Sequence, residues 1–511
     1  MLSKVLSYGL NGLEGYLVTV EADLSAGLPS FDIVGLADTA IKEAKERVRS
    51  AIKNSGYDYP IKKITINLAP ADTKKERPIY DLAIAVALLS ATNQIEINSV
   101  KDTIFLGELS LDGTVKKING VLPILISARE NGYKKVILPK ENQKEASYIS
   151  GLDIYCVNNL TDCVLFLNKD KIIEKIDFSQ FEHIQNKAKE FASDFKYVKG
   201  QKSAKRALEI AAAGGHNVIM IGPPGSGKTM LAKCFPSILP DMTFEEALQV
   251  TKIHSIAGTL SSEGIVAIRP FRTPHHTSSK VALTGGGRNA KPGEVSLAHH
   301  GVLFLDEMPE YDRGTIEALR QPLEDGMITV SRAANTYTYP ASFTLIGSMN
   351  PCPCGNYGSS KNACRCTPSQ IHKYLAKLSG PLMDRIDLHV EVDAVTYDDL
   401  NSKSEEESSS EIKQRVDKAR NIQLQRFSGS NIFCNSKMNS QTTKRECKLG
   451  QDSKDLLKLA FENLNLSARA NDKILKVART IADLEGESDI LPQHIAEAIQ
   501  YRSLDGKYWG Q

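Results

Sequence analysis

No run of the 511-residue chain approaches the ~20 apolar residues of a membrane-spanning helix, and the start Met1-Leu2-Ser3-Lys4-Val5 lacks the apolar core of a signal peptide. The sequence therefore reads as a cytoplasmic protein with no membrane partner. Neither sign of charge is in excess: 63 Lys and Arg face 61 Asp and Glu, a formal charge of +2. The whole-chain balance announces no nucleic acid, so any such contact has to come from local patches. In a reducing compartment the nine cysteines are thiols or metal ligands rather than a disulfide framework. What remains is an ordinary globular composition, 41% apolar and 24% charged, in a chain long enough for three or four domains.

The densest local signal is Gly222-Pro223-Pro224-Gly225-Ser226-Gly227-Lys228-Thr229, directly behind the strand-like run Asn217-Val218-Ile219-Met220-Ile221 and ahead of the helix-forming Met230-Leu231-Ala232-Lys233. This G-x-x-x-x-G-K-[ST] pattern is a phosphate-binding loop. Its glycines let consecutive N–H groups turn inward to phosphate oxygens, Lys228 reaches the β- and γ-phosphates, and the Thr229 hydroxyl holds Mg²⁺. A second apolar run, Gly301-Val302-Leu303-Phe304-Leu305, ends in Asp306-Glu307. At the C-terminal edge of a strand both acids can reach the phosphate cleft, Asp306 for Mg²⁺ and Glu307 to polarise an attacking water. A third strand, Ser342 to Gly347, leads into Ser348-Met349-Asn350.

Together these resemble a P-loop ATPase of the AAA+ class. The resemblance implies that Asn350 is the first sensor and that Arg385, in Gly380-Pro381-Leu382-Met383-Asp384-Arg385, is a finger reaching a neighbour's γ-phosphate. It also implies that Arg469, in Leu466-Ser467-Ala468-Arg469, is the second sensor, touching the nucleotide from a helical lid. A finger supplied in trans implies a ring, with a hexamer expected. Arg269-Pro270-Phe271-Arg272-Thr273-Pro274-His275-His276-Thr277, Gln321-Pro322-Leu323-Glu324-Asp325-Gly326 and Asn350-Pro351-Cys352-Pro353-Cys354-Gly355 look like the magnesium-chelatase-like AAA+ family, in its ComM/YifB branch of competence-associated DNA helicases. That resemblance implies ATP and Mg²⁺ as cofactors and single-stranded and branched DNA as partners.

The domain reading follows. Residues 1–170 alternate short β-rich runs with helical patterns, among them Ile64–Leu68, Leu82–Leu89 and a helix from about Leu122 to Asn131. The stretch Phe105–Gly113 and Val136–Pro139 resemble the C-terminal domain of Lon protease and the related domain of RadA. Lon uses a Ser-Lys dyad, whose positions fall here at about Ile79 and Leu122, so this α+β domain reads as non-proteolytic, an oligomerising or nucleic-acid-facing module. Residues 171–193 read as a linker. Residues 194–393 form the α/β ATPase domain, with a cysteine-rich insert at 350–368, and 394–511 a helical lid with a polar, partly mobile stretch at 401–450.

From Lys228 to Asp306 is 78 residues, room for an insert at 256–300 that in this clade faces the ring pore. Residues 328–332 and 336–339 alternate as a hairpin before the first-sensor strand. Lys280, Arg288 and Lys291 of the insert and Arg332 of the hairpin are the candidate DNA-phosphate contacts, the alternative being that the hairpin packs subunits together. Lys202, Lys205 and Arg206 form either a solvated helix face or a DNA contact. The histidines 254, 275, 276, 299 and 300 have no regular ligand spacing and suit hydrogen bonding better than a metal. Cys352-Pro353-Cys354 and Cys364-Arg365-Cys366 offer four thiolates that suit a closed, structural Zn²⁺ site, with free thiols as the other reading. A chelatase-type or chaperone-like ATPase that remodels a protein shares the whole nucleotide site and is the alternative to a DNA motor.

Overall fold

The computed structural model describes all residues except 76, 183, 184, 186–192, 288, 289, 332–335, 359–362, 395–405, 431, 465, 466, 505–507, 510 and 511. The chain forms two compact units. One comprises Met1–Asn186 and Phe244–Ala267; the other comprises Lys187–Thr243 and Ile268–Gln511.

The first unit is built on seven strands: β1 (Leu2–Asn11), β2 (Glu14–Ser25), β3 (Ser30–Val34), β4 (Lys63–Ala69), β5 (Thr103–Phe105), β8 (Lys135–Pro139) and β9 (Asp153–Val157), in the order β3-β4-β2-β1-β5-β8-β9. The β1–β2 and β2–β4 pairs are antiparallel and the rest parallel. A small hairpin of β6 (Glu108–Leu109) and β7 (Val115–Lys116) stands apart. Between β5 and β6 the chain turns at Gly107, which takes φ +155°. Helix Asp81–Ala91 is buried on every side, as its unbroken apolar run requires. Ile79 and Leu122 are buried in the same core.

Helix Phe244–Ala257 belongs to this unit, although by sequence it lies inside the ATPase half. Leu248 packs on the core, and Ser255 accepts the Gly120 N–H at 2.9 Å. Ser255 also donates to the buried Glu145, whose carboxylate accepts the Leu122 N–H at 2.9 Å. Of the expected pore-facing insert at 256–300, residues 256–267 therefore group with the first unit, and only 268–300 with the second.

The second unit is built on a fully parallel sheet of β10 (Val218–Ile221), β11 (Phe271–Arg272), β12 (Val302–Leu305), β15 (Thr344–Met349) and β16 (Leu388–Glu391), in the order β11-β12-β15-β10-β16. All four residues of β10 and of β12 are buried, which fits their continuous apolar runs. Strands β13 (Met327–Ser331) and β14 (Thr336–Pro340) pair as the expected antiparallel hairpin. Helices Ser409–Arg426, Ala468–Glu485 and Pro492–Gln500 pack with helix Lys202–Gly214 in one core. In the polar segment after 426, polar side chains pair with one another. Asn435 is buried, donating to Asp483 at 2.8 Å and to Thr480 at 3.1 Å, and Arg426 pairs with Asp483. Polar side chains that satisfy one another can be buried without an apolar run to announce them. Among the described residues no helix is long and apolar enough to cross a membrane.

Candidate nucleotide site

Strand β15 lies between β10 and β12, so three chain segments emerge side by side at one edge of the sheet: the loop after Ile221, the acids after Leu305, and Asn350 after Met349. The loop is shaped by its glycines. A Cβ on Gly222 would sit 2.2 Å from the Val392 carbonyl oxygen, and Gly227 takes φ +90° as it opens helix Lys228–Cys234. Lys228 folds back over the loop, donating to the carbonyls of Gly222 at 2.7 Å and Pro223 at 2.9 Å, with Asn350 Oδ1 3.4 Å away. Burial lowers the Lys228 pKa, and Asp306 and Glu307 oppose that shift.

The Thr229 hydroxyl donates to Asp306 Oδ2 at 2.9 Å, so the two oxygen ligands expected for Mg²⁺ are already adjacent. Hard oxygen donors of this kind fit that ion. Sequence reasoning gave no role to Ser348. Its hydroxyl donates to the other Asp306 oxygen and accepts the Glu307 N–H at 3.2 Å, tying both acids to the neighbouring strand. The only signal available was its place two residues before Asn350, on a strand expected beside the acids. Glu307 itself takes φ +53°, a strained conformation for a non-glycine residue, and its side chain is exposed. The turn sets these two successive acids just beyond the end of β12.

The cysteines converge. Cys352, Cys354 and Cys364 have sulfurs 3.4, 3.7 and 3.6 Å apart, and all four Sγ atoms, Cys366 included, lie within 4.8 Å of one another. Four thiolates around one zinc, each ~2.3 Å away, would stand about 3.8 Å apart. Backbone N–H groups of Arg365 and Asn356 pull the Cys354 pKa down to about 6. The Cys366 N–H pulls that of Cys364 the same way, but desolvation and the neighbouring sulfurs push it up, and they push that of Cys366 up too, as expected of thiols crowded together. This is the single group of metal-ligand spacing found among the described residues. It also touches the nucleotide loop: a Cβ on Gly355 would sit 2.4 Å from Pro224 Cδ.

Arg385 lies elsewhere. It precedes β16, and its carbonyl accepts from Asn217 Nδ2 at 3.2 Å, where Asn217 stands just before β10. The nucleotide loop follows the other end of β10, one strand length of about 13 Å away. The guanidinium is ion-paired with Glu324 and donates to the Pro381 carbonyl at 2.7 Å. Arg469 is exposed at the start of helix Ala468–Glu485. The Glu324 carboxyl is held below its usual range by the Arg385 hydrogen bond first, then by the charges of Arg385, Arg469 and Arg320. Arg385 thus pairs with Glu324 at the sheet edge opposite its own loop, and the charge of Arg469 acts on the same carboxylate.

Of the predicted DNA contacts, Arg288 and Arg332 lie outside the described residues. Lys280 begins an exposed helical turn, and Lys291 is exposed and bridged by backbone hydrogen bonds to Gly286. The segment around them packs on the hairpin, with the Tyr339 hydroxyl donating to the Ala290 carbonyl at 2.8 Å. Lys205 and Arg206 are neither a solvated face nor a free patch: Lys205 pairs with Glu406 at 2.6 Å and Arg206 with Glu497 at 3.0 Å. His299 accepts the Ser342 N–H at 3.1 Å, in keeping with a hydrogen-bonding role.

Known proteins have similar sequences. Residues 20–142 match the family described as subunit ChlI of Mg-chelatase, 194–400 that of magnesium chelatase, subunit ChlI, and 406–502 the ChlI C-terminal family. The competence protein ComM of Haemophilus influenzae is 43% identical over 508 residues, 98% of this chain and 98% of that one. The chain belongs to the magnesium-chelatase-like ComM/YifB family. The uncharacterized protein YifB of Escherichia coli is likewise 43% identical, over 99% of this chain and 97% of its own length. A magnesium-chelatase 67 kDa subunit of Chlorobaculum parvum is 29% identical over 163 residues, 31% of this chain and 23% of that one. The family is AAA+ in type and binds ATP with Mg²⁺, which fits the loop, the Thr229–Asp306 pair and the parallel sheet.

Proposed function

We propose that this protein is a ring-forming, ATP-hydrolysing DNA motor, a cytoplasmic helicase that migrates branched intermediates during DNA uptake or recombination. The observation that carries the ring is the position of Arg385. An arginine one strand length from its own nucleotide loop can stabilise γ-phosphate charge only in an adjacent copy, so each site is completed by the next subunit, six in a closed ring. Arg469 belongs to the same face and reaches the same neighbouring nucleotide.

Within a subunit, Lys228 releases the loop carbonyls to take the β- and γ-phosphates, while the loop N–H groups cradle them. Thr229 and Asp306 hold Mg²⁺, which neutralises phosphate charge when bound. Glu307, fixed at its backbone by Ser348, accepts a proton from the attacking water, and Asn350 orients that water beside Lys228. The four cysteines hold a structural Zn²⁺ that braces Pro224 through Gly355.

The DNA half is supported by the name of the ComM relative and by the exposed Lys280 and Lys291 beside the hairpin. ATP turnover is the test, measured with and without single-stranded and branched DNA at two salt concentrations. Stimulation that fades as salt rises is expected, since phosphate contacts release counterions. Turnover indifferent to DNA, with no salt-sensitive retention, would overturn the DNA reading. It would leave the protein-remodelling ATPase favoured by the similarity to a chelatase subunit.

A further inference from the structure

Two residues after Arg385 the chain carries a buried carboxylate that the nucleotide chemistry above does not use. Asp387 Oδ1 accepts from Lys473 Nζ at 2.8 Å. Its Oδ2 accepts the Asn217 N–H at 2.9 Å and stands 3.7 Å from His216 Nδ1, while His216 Nε2 lies 2.8 Å from the Thr480 hydroxyl. Lys473 and Thr480 both belong to helix Ala468–Glu485. Lys473 follows Arg469 by four residues, one turn along the same face. One ion pair therefore joins the root of Arg385 to the root of Arg469.

Stability alone does not account for such a pair, because apolar residues of similar volume generally hold a core at least as well. What a charged hydrogen bond adds is a fixed distance and direction. Two segments joined this way cannot slide past each other as they could across an apolar contact. Arg385, whose guanidinium pairs with Glu324, is thus held at its base as well as at its tip, and the base of Arg469 is held to the same segment.

We propose that Asp387 and Lys473 are positioning residues that clamp the Arg385 segment to the lid helix, so that Arg385 and Arg469 meet the neighbouring subunit's phosphates as one rigid unit. This rests on the reading of both arginines as completing the neighbour's site.

The test uses the full-length protein with Asp387→Asn and Lys473→Met combined, which removes both charges and so leaves no lone buried ion. The double variant should bind fluorescent ATP as the parent does, since its own loop lies at the other sheet edge. Its hydrolysis should fall about 100-fold, the cost of a misplacement near 1 Å. Mixed with Lys228→Ala protein, it should recover turnover, because Lys228→Ala subunits present sound arginines to the double variant's sound loops. A generally misfolded protein would not be rescued in this way. Parent-like turnover by the double variant, while Arg385→Ala is inactive, would overturn the clamp and leave the arginine reading standing. Full turnover by Arg385→Ala would overturn the arginine reading itself. If the double variant does not fold, Lys473→Arg carries the test. It keeps the pair at an altered length and should lower hydrolysis with unchanged ATP binding, and parent-like hydrolysis would overturn the clamp.

Discussion

Each unit combines one main sheet with helices, mixed in the first and fully parallel in the second, and the two use their strand ends differently. In the second unit the segments after β10, β12 and β15 set Lys228 beside Asn350, Thr229 on Asp306 and Ser348 on the Glu307 backbone. In the first, Ile79 and Leu122, where the resemblance to Lon protease would put a Ser-Lys dyad, are both sunk in the core. A scaffold of packed sheet and helices fixes where chemistry can occur, and the residues at one edge decide whether any does.

The sharpest way to break this comparison is at Glu307. Glu307→Gln should bind ATP normally and lose about 10²- to 10⁴-fold in hydrolysis, the usual worth of a general base. Stopped-flow nucleotide binding alongside steady-state turnover checks it, and undiminished turnover would move the base elsewhere. The same comparison can be attacked from the first unit by installing a Ser-Lys pair, Ile79→Ser with Leu122→Lys. No casein cleavage is expected, because the lysine would enter an apolar core where Leu122 is fully buried. Denaturant unfolding should show a loss of at least about 3 kcal/mol.

The cysteine insert sits between these extremes, a structural device placed against a catalytic loop. Metal analysis should find one zinc per chain, lost in Cys354→Ser. The expected consequence is ATP affinity weakened about tenfold, ~1.4 kcal/mol, with turnover at saturation largely kept. Gly355→Ala probes the same contact without touching a ligand. Its Cβ would overlap Pro224, at a φ of +79° that alanine resists, so a destabilisation of about 1–3 kcal/mol and a raised KM for ATP are expected.

How much of this was legible in the sequence depended on whether a feature is local. The phosphate loop, the acid-bearing strand and the two cysteine pairs are short patterns whose chemistry needs only near neighbours in sequence, and each stands where its run of residues placed it. Ser348 was overlooked because its role depends on a strand 42 residues away. Helix Phe244–Ala257 was assigned to the ATPase half because nothing in its own residues says that Ser255 answers to Glu145, 110 positions earlier. The burial of Asn435 could not be read from composition, which registers polar residues one at a time and cannot see that Asn435, Arg426 and Asp483 satisfy each other. Lys205 and Arg206 looked like a surface patch for the same reason: their partners Glu406 and Glu497 are 201 and 291 residues on.

The smallest expected effect contrasts two buried carboxylates, one in each unit. Burial works against the charge of Asp387, yet Lys473 and then His216 outweigh it and hold its pKa below the usual range. Glu145 is buried as deeply, and the hydroxyl and N–H groups of Ser255, Leu122 and Asn142 only partly offset a desolvation that raises its pKa. The linkage signs are therefore opposite. The contribution of Asp387 is present above the unfolded carboxylate value of about 3.9 and is lost as pH falls through its folded value. That of Glu145 is present below about 4.3 and is lost as pH rises through its raised folded value. Glu145→Gln should accordingly flatten the loss of stability of the first unit between weakly acidic and neutral pH, changing stability by about 1 kcal/mol or less, since the amide keeps one acceptor for Ser255 and Leu122 but meets the Asn142 amide donor to donor. Hydrogen exchange of helix Val121–Glu130 at pH 5 and pH 8 reads this locally. An unchanged pH slope in Glu145→Gln would mean that Glu145 stays ionised in the fold, and that the two carboxylates differ less than their surroundings suggest.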